Sequence, residues 1–164
     1  NMRNLIALQA FDRLKQVLVD GVSGLDASPV RLRGHGINSS PFIIEQLPFT
    51  DFRNTKTSSQ SEFDRYDCDD ADESGPEFIY ELTVTQDTPL RIMVMDRDAV
   101  DIDIHLLDES YDCLRRGHRQ IDTLVSPGTY YITADTWSDG SGLKRSGEYQ
   151  LIVLECTSGD NSCQ

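Results

Sequence analysis

Apolar positions fall into two regimes along the chain. In residues 3–20, RNLIALQAFDRLKQVLVD, Leu5, Leu8, Phe11, Leu14, Val17 and Leu18 recur at steps of three and four, with Arg3, Asp12, Lys15 and Gln16 mostly opposite. That spacing predicts an amphipathic helix, capped by Asn4 and stopped near Gly21 and Gly24. Its apolar stripe needs a cover: the rest of the chain, a second copy, or a neighbouring domain. From residue 78 the period drops to two. FIYELTVT, PLRIMVMD, VDIDIHLLD, QIDTLV, GTYYITADTW and GEYQLIVLEC alternate, and QDTP, RRGHR, SPGT and SDGSG supply the turns between strands. FIIEQLPF, near residue 43, adds one more. About seven strands without helices between them predict an all-β fold, an antiparallel β-sandwich or jelly roll with an added N-terminal amphipathic helix. Residues 21–42 and 54–62 are polar and rich in turn formers and read as linker or loop. The expected division is 1–42, helix and linker, and 43–164, sandwich domain.

Composition narrows the function classes. The chain has 164 residues, 38% of them apolar and 26% charged, enough to bury a core. Its net charge of -13 repels phosphate backbones, which excludes nucleic acid as an expected partner and favours cations. No run of 18 apolar residues occurs, so no membrane-spanning helix is expected. The apolar LIAL near the start is too short and wrongly flanked for a signal peptide, so any export signal is expected outside this sequence.

Four cysteines, Cys68, Cys113, Cys156 and Cys163, form no CxxC pair and have no histidine close in sequence. Zinc-ribbon spacing is therefore missing. An even number in an acidic β-rich chain reads as two disulfides in an oxidising compartment, extracellular, periplasmic or at the cell surface. Three pairings exist. Cys68–Cys113 with Cys156–Cys163 is the favoured one, because the second closes a short loop over TSGDNS and the first ties an acidic stretch to a distant strand connection.

That acidic stretch, CDDADESGPEF, starts at Cys68. Asp70, Asp72, Gly75 and Glu81 match the spacing of an EF-hand loop, but such a loop needs helices on both sides, and Glu81 sits in a strand pattern. An EF-hand is rejected. The crowd of Asp67, Asp69, Asp70, Asp72, Glu73 and Glu77 is either a site for a hard cation with oxygen ligands or a solvated acidic loop tied by Cys68. A second set comes from VDIDIHLL, where alternation puts Asp101, Asp103 and His105 on one strand face and Val100, Ile102, Ile104 and Leu106 on the other. Asp135, in TADTW, is a third candidate, read first as a buried hydrogen-bonding carboxylate. Trp137, the single tryptophan, reads as a core plug before a sugar platform, and Asp139-Gly140 as a turn. The candidate cation ligands are thus Asp70, Asp72, Glu73, Glu77, Asp101, Asp103 and Asp135. Arg115, Arg116, His118 and Arg119 form the one concentrated basic patch, and pairing with the acidic loop is its cheapest use, since a Cys68–Cys113 bridge would bring the two together.

Catalytic landmarks are sparse. No GxSxG elbow or HExxH occurs, and His35 in RGHGIN matches no phosphate loop. Two disulfides would also consume the thiols a cysteine nucleophile needs.

GPEFIYELTV at 75–84, VDIDIHLL at 100–107, PGTYYITADTW at 127–137 and GEYQLIV at 147–153, in that order, resemble the bacterial pre-peptidase C-terminal domain family over roughly residues 47–155. The resemblance implies a β-sandwich jelly roll attached to secreted hydrolases, especially peptidases. Such domains are usually non-catalytic, and some relatives bind calcium or an insoluble polymer such as collagen. The expected function is a secreted, non-catalytic accessory or binding domain, with Ca2+ as the cofactor to look for and a protein or polysaccharide surface as partner. The alternatives are an assembly module that self-associates through the N-terminal helix, and a small hydrolase using His35 or His105.

Overall fold

The structure, a computed structural model, describes residues 31–156. The expected helix over 3–20 and Cys163 lie outside the described residues. All the elements below belong to one unit, Leu32–Gln164.

Nine strands are present among the described residues: β1 (Phe42–Ile44), β2 (Phe49–Asn54), β3 (Phe78–Val84), β4 (Thr88–Asp96), β5 (Ile102–Leu107), β6 (Cys113–Gly117), β7 (Gln120–Val125), β8 (Gly128–Thr136) and β9 (Glu148–Glu155). They form a sandwich of two sheets, ordered β1-β3-β8-β5-β6 and β2-β9-β4-β7. The alternating segments become β3, β4, β5, β7, β8 and β9, as their period predicts. Three expectations are corrected. FIIEQLPF is two strands rather than one: a cis Leu47–Pro48 bond separates β1 from β2, and the two join opposite sheets. The RRGHR segment is only partly a turn, since Cys113–Gly117 forms edge strand β6 against β5. The sheets are also not purely antiparallel, because β1 pairs parallel to β3.

Between the sheets lies the apolar core. Leu90, Ile92 and Val94 of β4, with Leu151 and Val153 of β9, face Leu82 of β3, Ile102, Ile104 and Leu106 of β5, and Ile132 and Ala134 of β8. These are the period-two positions of each strand, and burying each large aliphatic one is worth about 1.5–3 kcal/mol. Residues 33–41 have no strand but close on the five-stranded sheet, where the Ile79 amide donates to the Gly36 carbonyl at 3.0 Å.

The five-stranded sheet is covered on its outer face as well. Every residue of β5 is buried, although its alternation would leave one face to solvent. Residues 58–77 make the cover. The chain folds back on itself through Glu73 N to Asp64 O (3.0 Å) and Glu77 N to Gln60 O (3.3 Å), and it docks on the end of β8 through Gly75 N to Thr136 O (3.2 Å) and Ser138 N to Asp72 O (2.8 Å). Gly75 is required there by close approach, since a Cβ would lie 2.4 Å from both the Thr136 carbonyl oxygen and its Cβ. A disulfide, Cys68–Cys113, fastens the loop to β6, with Cα atoms 5.5 Å apart. Cys156 is also oxidised, and its expected partner is Cys163.

The SDGSG turn is closed by Asp139. Its carboxylate accepts from the Ser141 and Leu143 amides (2.9 and 3.1 Å), the Ser141 hydroxyl (2.5 Å) and Arg145 Nη2 (2.7 Å). The Ser141 hydroxyl above all holds its pKa down to about 2. A carboxylate depressed on folding supports the native state above its ordinary value near 4 and gives that support up as the pH falls towards the folded value. The 138–144 turn should therefore loosen between about pH 4 and pH 2, with an Asp139 NMR titration midpoint near 2. A midpoint near 4 would contradict these bonds.

Candidate functional site

The outer face of the five-stranded sheet gathers the titratable residues. Register places Asp103 opposite Asp135 and His105 opposite Thr133 across β5 and β8, and His105 beside Arg116 across β5 and β6. The loop lays Tyr66 and Glu73 over them. Tyr66 stacks on His105, ring centroids 3.6 Å apart and planes within 14°. The result is a buried polar layer in which Glu73, His105 and Asp135 are 0% exposed and Asp103 is 1%.

Burying a charge demands compensation, and most of the layer has it. Asp135 accepts from the Tyr66 hydroxyl at 2.6 Å and the Thr136 amide at 2.7 Å. Burial and then the nearby Glu77 push its pKa well above the ordinary carboxylate range. Glu77 Oε1 accepts from Gln60 Nε2 (2.7 Å) and the Glu62 amide (2.9 Å), and burial raises its pKa also. Asp103 accepts from Arg116 Nη2 and contacts His118 Nδ1 at 2.8 Å. Burial pushes Asp103 up, but hydrogen bonds from Glu73, Arg116 and His118 outweigh it and hold the carboxyl below its usual value. Arg116 also reaches Asp69 at 2.7 Å, so the basic patch does pair with the acidic loop beside the disulfide.

Glu73 differs. No donor reaches either of its oxygens. Burial, and next the facing Asp103 carboxylate, push its pKa up to about 9. His105 Nε2 likewise has no hydrogen-bond partner and lies 4.0 Å from Glu73 Oε1. Burial draws the imidazole pKa down to about 4, leaving it neutral at physiological pH.

The seven candidate ligands do not converge on one ion. Asp70 and Asp72 are exposed, and Asp72 turns its carboxylate to the Ser74 amide at 3.1 Å. Asp135 and Glu77 spend oxygens on protein donors. Asp101 lies with Asp103 and His118, where its Oδ1 stands 3.4 Å from His118 Nδ1, and burial raises its pKa. Calcium takes six to eight oxygens about one centre. Two tighter groups have ligand atoms mutually within 4.8 Å: Asp69, Glu73 and His105, and Asp101, Asp103 and His118. The first contains Asp69, which appears in the sequence only as one of a crowd of acids. Tyr66, the residue that roofs the layer, carries no sequence signal of its own. The remaining histidine, His35, pairs with Ser40 Oγ at 2.9 Å in its own turn.

No family model matches the chain, and no curated protein matches it. Solved structures do. The chain is similar to the pre-peptidase C-terminal domain of a collagenase from Bacillus anthracis (18% identity, 65% of this chain and 89% of that one, TM-score 0.45). It is similar also to PliG, a periplasmic inhibitor of g-type lysozyme from Aeromonas hydrophila (8% identity, 70% and 94%, TM-score 0.44). A ruminal GH26 endo-beta-1,4-mannanase matches over 70% of this chain but 27% of its own, at 12% identity and a TM-score of 0.33.

Proposed function

We propose that the chain is a non-catalytic accessory or binding β-sandwich of the pre-peptidase C-terminal kind, working in an oxidising compartment outside the cytoplasm. One observation carries this reading: the acids and the histidine that lie under the loop are sealed, with Glu73, His105 and Asp135 at 0% exposure. A general acid or base must come within about 3 Å of the substrate proton it moves, and groups roofed by Tyr66 do not reach one. The layer's task on this reading is to anchor residues 58–77, which leaves the outer surfaces for a protein or polysaccharide partner. The Cys68–Cys113 bridge supports the compartment, and the net charge of -13 supports solubility and disfavours nucleic acid.

Cosedimentation of the chain with insoluble collagen, cellulose and chitin tests the role, alongside peptidase and glycosidase assays of the same preparation. Retention on one polymer class without turnover is expected. Turnover that disappears with His35→Gln or His105→Gln would replace this reading with the hydrolase alternative, and no retention on any polymer would remove the polymer-binding role.

A further inference from the structure

We propose that Asp69, Glu73 and His105 bind one divalent transition-metal ion, zinc or manganese rather than calcium, beneath the disulfide-clipped loop. Their ligand atoms lie mutually within 4.8 Å. An acidic cluster alone would not carry the assignment, but here two wholly buried groups face one another with no donor to either: neither Glu73 oxygen nor His105 Nε2 receives a hydrogen bond, and the neighbour that Glu73 does bond is another acid, Asp103. Native proteins rarely leave such atoms unmatched. An ion answers both deficits at once.

Geometry and charge agree. His105 Nδ1 lies 3.3 Å from Thr133 Oγ1. With the proton on Nδ1 donated to that hydroxyl, the Nε2 lone pair faces Glu73, the arrangement in which a histidine's other nitrogen fixes the ligating one. Tyr66, stacked on the ring, holds its plane. Ligands about 2.0–2.2 Å from a tetrahedral ion stand about 3.4 Å apart. The Glu73–His105 separation of 4.0 Å therefore closes by about 0.6 Å, within reach of a small side-chain rotation. The carboxylates of Asp69, Glu73 and Asp103 surround one guanidinium, Arg116, which contacts Asp69 and Asp103. A dication bound there displaces the proton that Glu73 holds, and three carboxylates less one guanidinium then match its charge. The imidazole nitrogen decides the class of metal: calcium prefers six to eight oxygens, whereas imidazole with carboxylates suits zinc and its neighbours.

The inference is independent of the accessory role and is tested apart from it. The full chain, stripped with EDTA, is titrated with Zn2+, Mn2+ and Ca2+ by calorimetry and followed by thermal melting. One equivalent of Zn2+ or Mn2+ should bind at least tenfold more tightly than Ca2+ and raise the melting midpoint. Glu73→Gln should weaken that binding at least tenfold, while the exposed Asp72→Asn leaves it unchanged. Co2+ added to the unsubstituted chain gives a reading that needs no variant: visible bands shifted from those of aqueous Co2+ are expected. No uptake, uptake unaltered by Glu73→Gln, preference for Ca2+, or a Co2+ spectrum identical to that of the free ion would each overturn the assignment.

Discussion

Removing the Cys68–Cys113 bridge as the Cys68→Ser/Cys113→Ser pair is expected to lower unfolding free energy by about 4 kcal/mol. The two cysteines are 45 residues apart in sequence, and the entropy that such a loop regains in the unfolded chain gives that figure in the chain-entropy model. The serine pair is a cleaner test than reduction, because Cys156 is oxidised as well. The effect should also have a location. Residues 58–77 hold to the sheet by a few backbone bonds at the 72–75 end and by the polar layer, and the bridge pins the middle of the segment to β6. Amide exchange should therefore rise first around Tyr66 and Glu73, with β4 and β9 still protected, since local opening costs less than global unfolding. A loss under about 1 kcal/mol in denaturant melts, well below the 2–5 kcal/mol usual for native disulfides, would mean that the polar layer alone holds the loop down.

The same loop marks the limit of what the sequence discloses. Period-two alternation located β3, β4, β5, β7, β8 and β9, because each buries alternate aliphatic residues in one core. It missed β6, whose CLRRG owes its strand form to edge pairing with β5 and not to burial. It merged β1 and β2, because FIIEQLPF is an apolar run and only the placement of Pro48 in the fold shows where the chain changes sheets. The outer layer was half legible. Alternation places Asp103 and His105 on one face, and the sequence offers Glu73, Glu77 and Asp135 as candidates, but as members of a broader set. What joins them is contact across sequence, such as Tyr66 to Asp135, 69 residues apart, and no local pattern encodes that. The signal that was available is the cystine: a bridge from Cys68 to Cys113 lays the acidic stretch beside β5, and β5 then has two faces to bury.

Arg53→Met should cost about 3–5 kcal/mol, the range for stripping one partner from a buried ion pair. Asp51 and Arg53 project from β2 into the sandwich, where Asp51 is 3% exposed. The Arg53 Nε donates to Asp51 Oδ2 at 2.5 Å, and the Tyr80 hydroxyl donates to the same oxygen at 2.8 Å. With its proton so committed, Tyr80 accepts from the Tyr149 hydroxyl at 2.7 Å. The chain of bonds runs from Tyr149 on β9 across to Tyr80 on β3 and back to β2, linking the two sheets through the core. Arg53 also lies 3.8 Å over the Phe42 ring of β1, so its stem and its charge both serve the join. Methionine keeps much of the stem and deletes the charge, leaving the Asp51 carboxylate buried with a phenol for company. Burial already raises the Asp51 pKa, Arg53 being the largest opposing influence, and without Arg53 it must rise further. A carboxyl whose folded pKa exceeds its unfolded value favours folding below the unfolded value and loses that contribution as the pH rises through the folded one. The deficit of Arg53→Met should accordingly be greatest above neutrality and shrink in acid. Adding Asp51→Asn should recover a large part of it at neutral pH, because the stranded charge and not the lost bond dominates the cost. Denaturant melts of the two single variants and the double at pH 5 and pH 8 measure this. A deficit for Arg53→Met that is the same at both values would show that Arg53 acts through its packing on Phe42 and not through its charge.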